Sequence, residues 1–101
     1  MGLELVPYTP VPVRNFDRIK KKLPAALRAE VDRQVRRVCD NPLLGEEKTG
    51  DLQGVLVHKF RAAGRQYLLA YWPDTAKGTV TLLALGGHEN FYRDLKRYLA
   101  S

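Results

Sequence analysis

Between residues 55 and 85 three apolar-rich runs are separated by two turn sequences, and that rhythm limits the available folds more than anything else in the chain. In the first run Val55, Val57, Lys59 and Arg61 fall on one face, and Leu56, His58 and Phe60 on the other. Ala62-Ala63-Gly64 supplies a hairpin turn. The second run, residues 66–72, is aromatic and apolar. Pro73-Asp74 through Lys77-Gly78 turns the chain again. The third run, residues 79–85, is β-branched and leucine-rich, and Gly86-Gly87 ends it. Three strands joined by short turns predict an antiparallel meander.

Helical spacing governs most of the remainder. Phe16, Ile19 and Leu23 recur at intervals of three and four, with Arg14, Arg18, Lys20, Lys21 and Lys22 on the other side. Pro24 breaks this helix and suits the first turn of the next. There Leu27, Val31, Val35 and Val38 form one stripe, ended by Asp40-Asn41-Pro42. Residues 42–54 read as loop. Residues 89–100 read as a helix with Phe91, Leu95, Tyr98 and Leu99 inward. Residues 3–8 read as a first strand, stopped by Pro7, Pro10 and Pro12, whose end lies at a sheet edge or leaves the sheet. The predicted order is β-α-α-β-β-β-α. This is an α+β fold with a meander packed by helices on one side and the first strand as an edge partner.

Composition narrows the function classes. The 101 residues suit a single domain spanning 1–101, with 45% apolar and 28% charged residues. Cys39 stands alone, so no intramolecular disulfide forms, and a reducing, cytoplasmic setting is expected. No apolar run approaches the ~18 residues of a membrane helix. Met1 to Leu5 show no signal-peptide pattern, so no membrane association is expected. The net charge is +6. The first fifty residues hold ten Lys and Arg against seven Asp and Glu, and the rest hold seven against four, so there is no basic tail. A compact basic domain points to an anionic partner, nucleic acid or acidic protein, or simply to solubility. Two dispersed histidines and one cysteine give no metal-ligand spacing, and no phosphate-cradling glycine motif appears. No cofactor is expected.

Several strings resemble the RelE/ParE superfamily of type II toxins. They are Asn41-Pro42-Leu43-Leu44-Gly45, Lys48-Thr49-Gly50-Asp51-Leu52-Gln53-Gly54, Val57-His58-Lys59-Phe60-Arg61, Tyr67-Leu68-Leu69-Ala70-Tyr71, and Leu85-Gly86-Gly87-His88-Glu89-Asn90-Phe91-Tyr92-Arg93-Asp94-Leu95. The resemblance implies a compact microbial toxin wrapped and silenced by a cognate antitoxin in a hetero-oligomer. Many members cleave mRNA on the ribosome, docking against 16S rRNA. ParE-like members poison DNA gyrase instead.

Metal-free RNA cleavage needs an acid, a base, and cations where charge builds on the phosphoryl oxygens. His88 is the leading acid–base candidate. Its ordinary pKa of about 6.5 suits proton transfer near neutrality, and it follows two glycines at a strand end. By resemblance, this position acts on the scissile phosphate. Tyr92 follows one helical turn later, and the resemblance gives it the 2′-hydroxyl or a stacked base. Lys59 and Arg61 match positions whose cations stabilise the phosphorane. Ribosome-dependent members carry a catalytic Arg where this chain has Leu68, which leaves Arg65 as a substitute if the hairpin is offset. His58 is expected on the opposite face as a satisfied, partly buried side chain, and Glu89 as an acid suited to a helix start. Three readings follow. The first is an endoribonuclease using His88, Tyr92, Lys59, Arg61 and Arg65. The second is a gyrase inhibitor without nuclease activity. The third is a degenerate member that only binds its antitoxin.

Overall fold

The computed structural model describes residues 6–87 and 89–100. Among these residues five strands form one sheet in the order β1-β5-β4-β3-β2. The meander is β3 (Leu56–Ala62), β4 (Arg65–Asp74) and β5 (Thr79–Gly87). Its turns lie where the sequence placed them. In the first, Ala63 (φ 53) and Gly64 (φ 75) both adopt left-handed backbone between the paired Ala62 and Arg65. Positive φ at both central residues marks a type I′ turn, whose twist matches that of the strands.

Strand β1 (Thr9–Pro12) differs from the expectation for residues 3–8. Residues 3–5 lie outside the described residues, and Val6 to Tyr8 have no regular structure. The strand instead runs through the prolines, parallel to β5, at one edge of the sheet. Thr9 and Val13 donate their N–H groups to Gly78 and Leu82. Pro10 and Pro12 occupy the alternate positions, which face the open edge, so no ladder bond is lost to their missing donors.

Helix α1 (Arg14–Lys21) and helix α2 (Ala25–Asp40) form the expected hairpin around Pro24, tied by an ion pair between Lys20 and Asp32. Their apolar stripe is Phe16, Val31, Val35 and Val38. It packs on Leu56, Phe60, Leu69, Tyr71, Val80, Leu82 and Leu85 of the sheet. Helix α3 (Phe91–Ala100) covers the opposite face with Phe91 and Leu95, against Val55, Val57, Leu68, Ala70, Leu83 and Ala84. The helices therefore lie on both sides of the sheet, not on one. The physical reason is that the alternate side chains of β3 and β4 are as apolar as the first set and need their own cover. Each large side chain buried this way contributes about 1.5–3 kcal/mol. Tyr98 and Leu99, expected inward, stay 36% and 39% exposed, because α3 reaches the core only through its first two turns.

Two local features fix the frame. A bulge between Ala70 and Tyr71 on one strand and Leu82 and Ala84 on the other leaves Leu83 as the extra residue. The Asn15 amide donates to the Leu83 carbonyl at 3.1 Å, so that oxygen is not orphaned. Tyr71 is fully buried; its hydroxyl donates to the Pro42 carbonyl at 2.7 Å and accepts the Gly45 N–H at 2.8 Å. A Cβ at Gly45 would lie 2.9 Å from that hydroxyl and from the Val57 backbone, so only glycine fits there. This anchor leads the chain into β2 (Glu46–Glu47), an edge strand paired with β3 inside the expected loop, and then into a single 3-10 turn at Gly50–Leu52.

Candidate functional site

The α3 side of β3 carries the candidate cations. Val57 is buried under α3, so Lys59 and Arg61, two and four residues on, share its face by strand alternation and are exposed. The Arg61 guanidinium donates to the Gly64 carbonyl at 3.3 Å, which holds it at the hairpin end. Tyr92 packs against the same buried cluster, half-buried, with its ring edge-on to Phe91 at 5.4 Å. Lys59, Arg61 and Tyr92 thus lie on one side of the sheet.

Arg65 does not join them. It pairs with Ala62, whose side chain packs on the α1 and α2 side, and the hairpin has no offset that would bring Arg65 across. Leu68 pairs with Lys59 and is fully buried in the α3 cluster, so no cation enters the site from that strand position. His88 lies outside the described residues. Its sequence neighbours Gly87 and Glu89 line a groove of about 560 Å³ between α1 and α3, together with Asn15, Arg18 and Tyr98. Gly86 sits on that groove, and a Cβ there would lie 3.4 Å from the Phe91 ring, in contact with the helix start.

A residue that sequence reasoning missed completes the cationic face. Lys48 follows β2, and its Nζ lies 5.1 Å from the centroid of the Tyr92 ring, within cation–π range. The same Nζ donates to Glu46 Oε1 at 3.0 Å. Glu46 pairs with Val57, which puts its side chain beside Lys59. The hydrogen bond from Lys48, then the charges of Lys48 and Lys59, hold the Glu46 carboxyl below its ordinary range. The bond to Glu46, with a smaller contribution from Tyr92, holds the Lys48 ammonium above its own. Lys48 opens one of the family-like strings, but no periodicity assigns it to a face; the pairing of Glu46 with Val57 does.

His58 has a different setting. It is buried on the α1 and α2 side, where Nε2 meets Gln34 Oε1 at 2.8 Å and the ring stacks on Phe60 at 5.9 Å. Gln34 in turn bonds Glu30 and Arg37. Burial first, and Arg37 second, lower the His58 pKa. This is the satisfied core histidine that strand alternation predicts.

A family model for the ParE-like toxins of type II bacterial toxin–antitoxin systems matches residues 11–96. The chain belongs to this family. Solved structures agree on the fold. The RelBE2 toxin–antitoxin complex of Mycobacterium tuberculosis is 27% identical, with a TM-score of 0.72, over 82% of this toxin and 100% of that chain. A doubly substituted E. coli RelE toxin in the free state is 18% identical, with a TM-score of 0.73, over 93% and 99%. The intact E. coli RelBE complex is 21% identical, with a TM-score of 0.67, over 81% and 98%. At such identities the two E. coli structures speak to the fold alone. No curated protein matches the toxin by sequence. Among the described residues no helix is long and apolar enough to cross a membrane.

Proposed function

We propose that this ParE-like toxin inhibits growth by cleaving mRNA on the ribosome without a metal ion, and that a cognate antitoxin restrains it. The observation that carries this reading is the shared face of Lys59, Arg61 and Tyr92, with Lys48 against the tyrosine ring. Cations beside an aromatic ring suit a single-stranded RNA, whose phosphates seek charge and whose unpaired bases seek a stacking surface. The ribose supplies the nucleophile. Its 2′-oxygen attacks the adjacent phosphorus, the bond to the 5′-oxygen breaks, and a 2′,3′-cyclic phosphate and a 5′-hydroxyl result. Lys59 and Arg61 offset the charge that develops on the phosphoryl oxygens. Tyr92 orients the nucleotide, and His88 is the proton-transfer group. Neighbours of the same fold support the antitoxin partner: the M. tuberculosis structure is a toxin–antitoxin complex, and an E. coli RelE structure contains an antitoxin peptide.

One observation favours a second reading, inhibition of DNA gyrase without nuclease activity. Leu68 is wholly buried where ribosome-dependent relatives carry a catalytic cation. A cell-free translation reaction separates the two. With wild-type toxin, primer extension is expected to show new 5′ ends within translated message, and His88→Ala to lose them at least a hundredfold, as for removal of a general acid or base. Intact message alongside gyrase-dependent DNA breaks would reject the nuclease reading. Equal cleavage by His88→Ala would remove His88 from the site and leave the activity standing.

A further inference from the structure

Lys48 and Glu46 have no role assigned in the cleavage step above, yet they occupy the same face. Lys48 reaches it from the segment after β2, not from the strand position that Leu68 fills. Its side chain is only 22% exposed, held between the Glu46 carboxylate and the Tyr92 ring, so the ammonium is already placed before any ligand arrives. Glu46, by contrast, is 66% exposed and sits on a two-residue edge strand. Its carboxylate is bonded to Lys48 and lies close enough to Lys59 to feel that charge. Glu46 is thus a negative group drawn to two cations at the rim of a basic surface, the same charge pattern that attracts a phosphodiester. An exposed ion pair of this kind is weak, so a phosphate can displace it at little cost.

We propose that Lys48 is a third phosphate-binding cation of this face, and that Glu46 occupies it in the free protein as an internal stand-in for an RNA phosphate. The proposal rests on the reading of this face as an RNA surface. When RNA binds, Lys48 exchanges the carboxylate for a phosphate oxygen, and the Glu46 carboxylate, left without that partner, turns to water. Glu46 therefore opposes binding, although it makes a favourable contact in the unbound chain. A carboxylate that merely secured the edge strand would have the opposite effect when removed.

The test is the affinity of the full chain for a short single-stranded RNA with 2′-O-methyl riboses, which cannot be cleaved, followed by fluorescence anisotropy across a salt series. Lys48→Met is expected to weaken binding roughly 3- to 10-fold and to lower the slope of log affinity against log salt by about one, as for loss of one phosphate contact. Lys48→Arg, which keeps the charge, retains both. Glu46→Gln is expected to tighten binding by roughly 2- to 5-fold through loss of a competing anion. Thermal melts of each variant establish that it is folded. If Lys48→Met binds as wild type while Lys59→Met is weakened, Lys48 is not a phosphate contact and the RNA reading survives. If Glu46→Gln weakens binding in parallel with Lys48→Met, the carboxylate is a support and the stand-in is overturned. If Lys48, Lys59 and Arg61 substitutions all leave affinity and salt slope unchanged, the RNA reading itself falls.

Discussion

His58 shows how a single buried residue ties this fold to pH. Its ring is enclosed by α2 and β3, bonded to Gln34 and faced by the Arg37 charge, so protonation is disfavoured in the folded chain. In the unfolded chain it titrates near its ordinary value of 6.5. Between the lowered folded pKa and 6.5 the unfolded state binds more protons, so stability falls as pH falls through that window. Above 6.5 both states are neutral and the contribution is complete. Melting temperatures should therefore decline as pH drops below about 6.5, and His58→Gln, which keeps an amide donor near Gln34, should flatten that decline. Matching pH profiles for the two proteins would place the sensitivity elsewhere. Residue identity alone did not separate His58 from a catalytic histidine; strand alternation did, by assigning it to the side away from Lys59. The same parity removes Arg65, whose pairing with Ala62 turns it from the cations it was expected to join.

At the scale of elements, the β3–β4 hairpin carries an avoidable cost. Ala63 holds φ 53 in a turn that demands left-handed backbone at both central positions. An L-residue with a plain Cβ is strained there, and asparagine is better tolerated. Ala63→Asn, which restores the favoured Asn-Gly pair, should stabilise the chain by about 0.5–1 kcal/mol in urea unfolding. An unchanged or lower midpoint would show that the turn is not strained. The meander and the helical hairpin were legible because periods of two and of three to four are set by local side-chain geometry. The short edge strands were not. Thr9–Pro12 is too short and too proline-rich to show a period, and Glu46-Glu47 becomes a strand only because β3 lies beside it. The side chosen by α3 left a faint mark in the sequence. Val55, Val57, Leu68 and Ala70 form a second apolar set that one layer of helices cannot cover. The cationic face was half legible. Alternation gave Lys59 and Arg61, whereas Lys48 depends on tertiary pairing.

For the whole molecule, a sheet covered on both faces leaves its margins as the sensitive places. The β2 margin is two residues long and charged, while β1 has no outward N–H at Pro10 or Pro12. Pro10→Ala combined with Pro12→Ala should leave the parallel pairing to β5 in place, because Thr9 and Val13 make the bonds. It should also promote concentration-dependent self-association in light scattering, since outward donors are restored. Monodisperse behaviour equal to wild type would show that the prolines do not protect this margin. The two pyrrolidine rings act as a selvedge, the finished border that keeps a fabric from being extended. A protein that grips by weaving itself on as a sixth strand finds no donors along Thr9–Pro12, so this border is closed to that mode of capture.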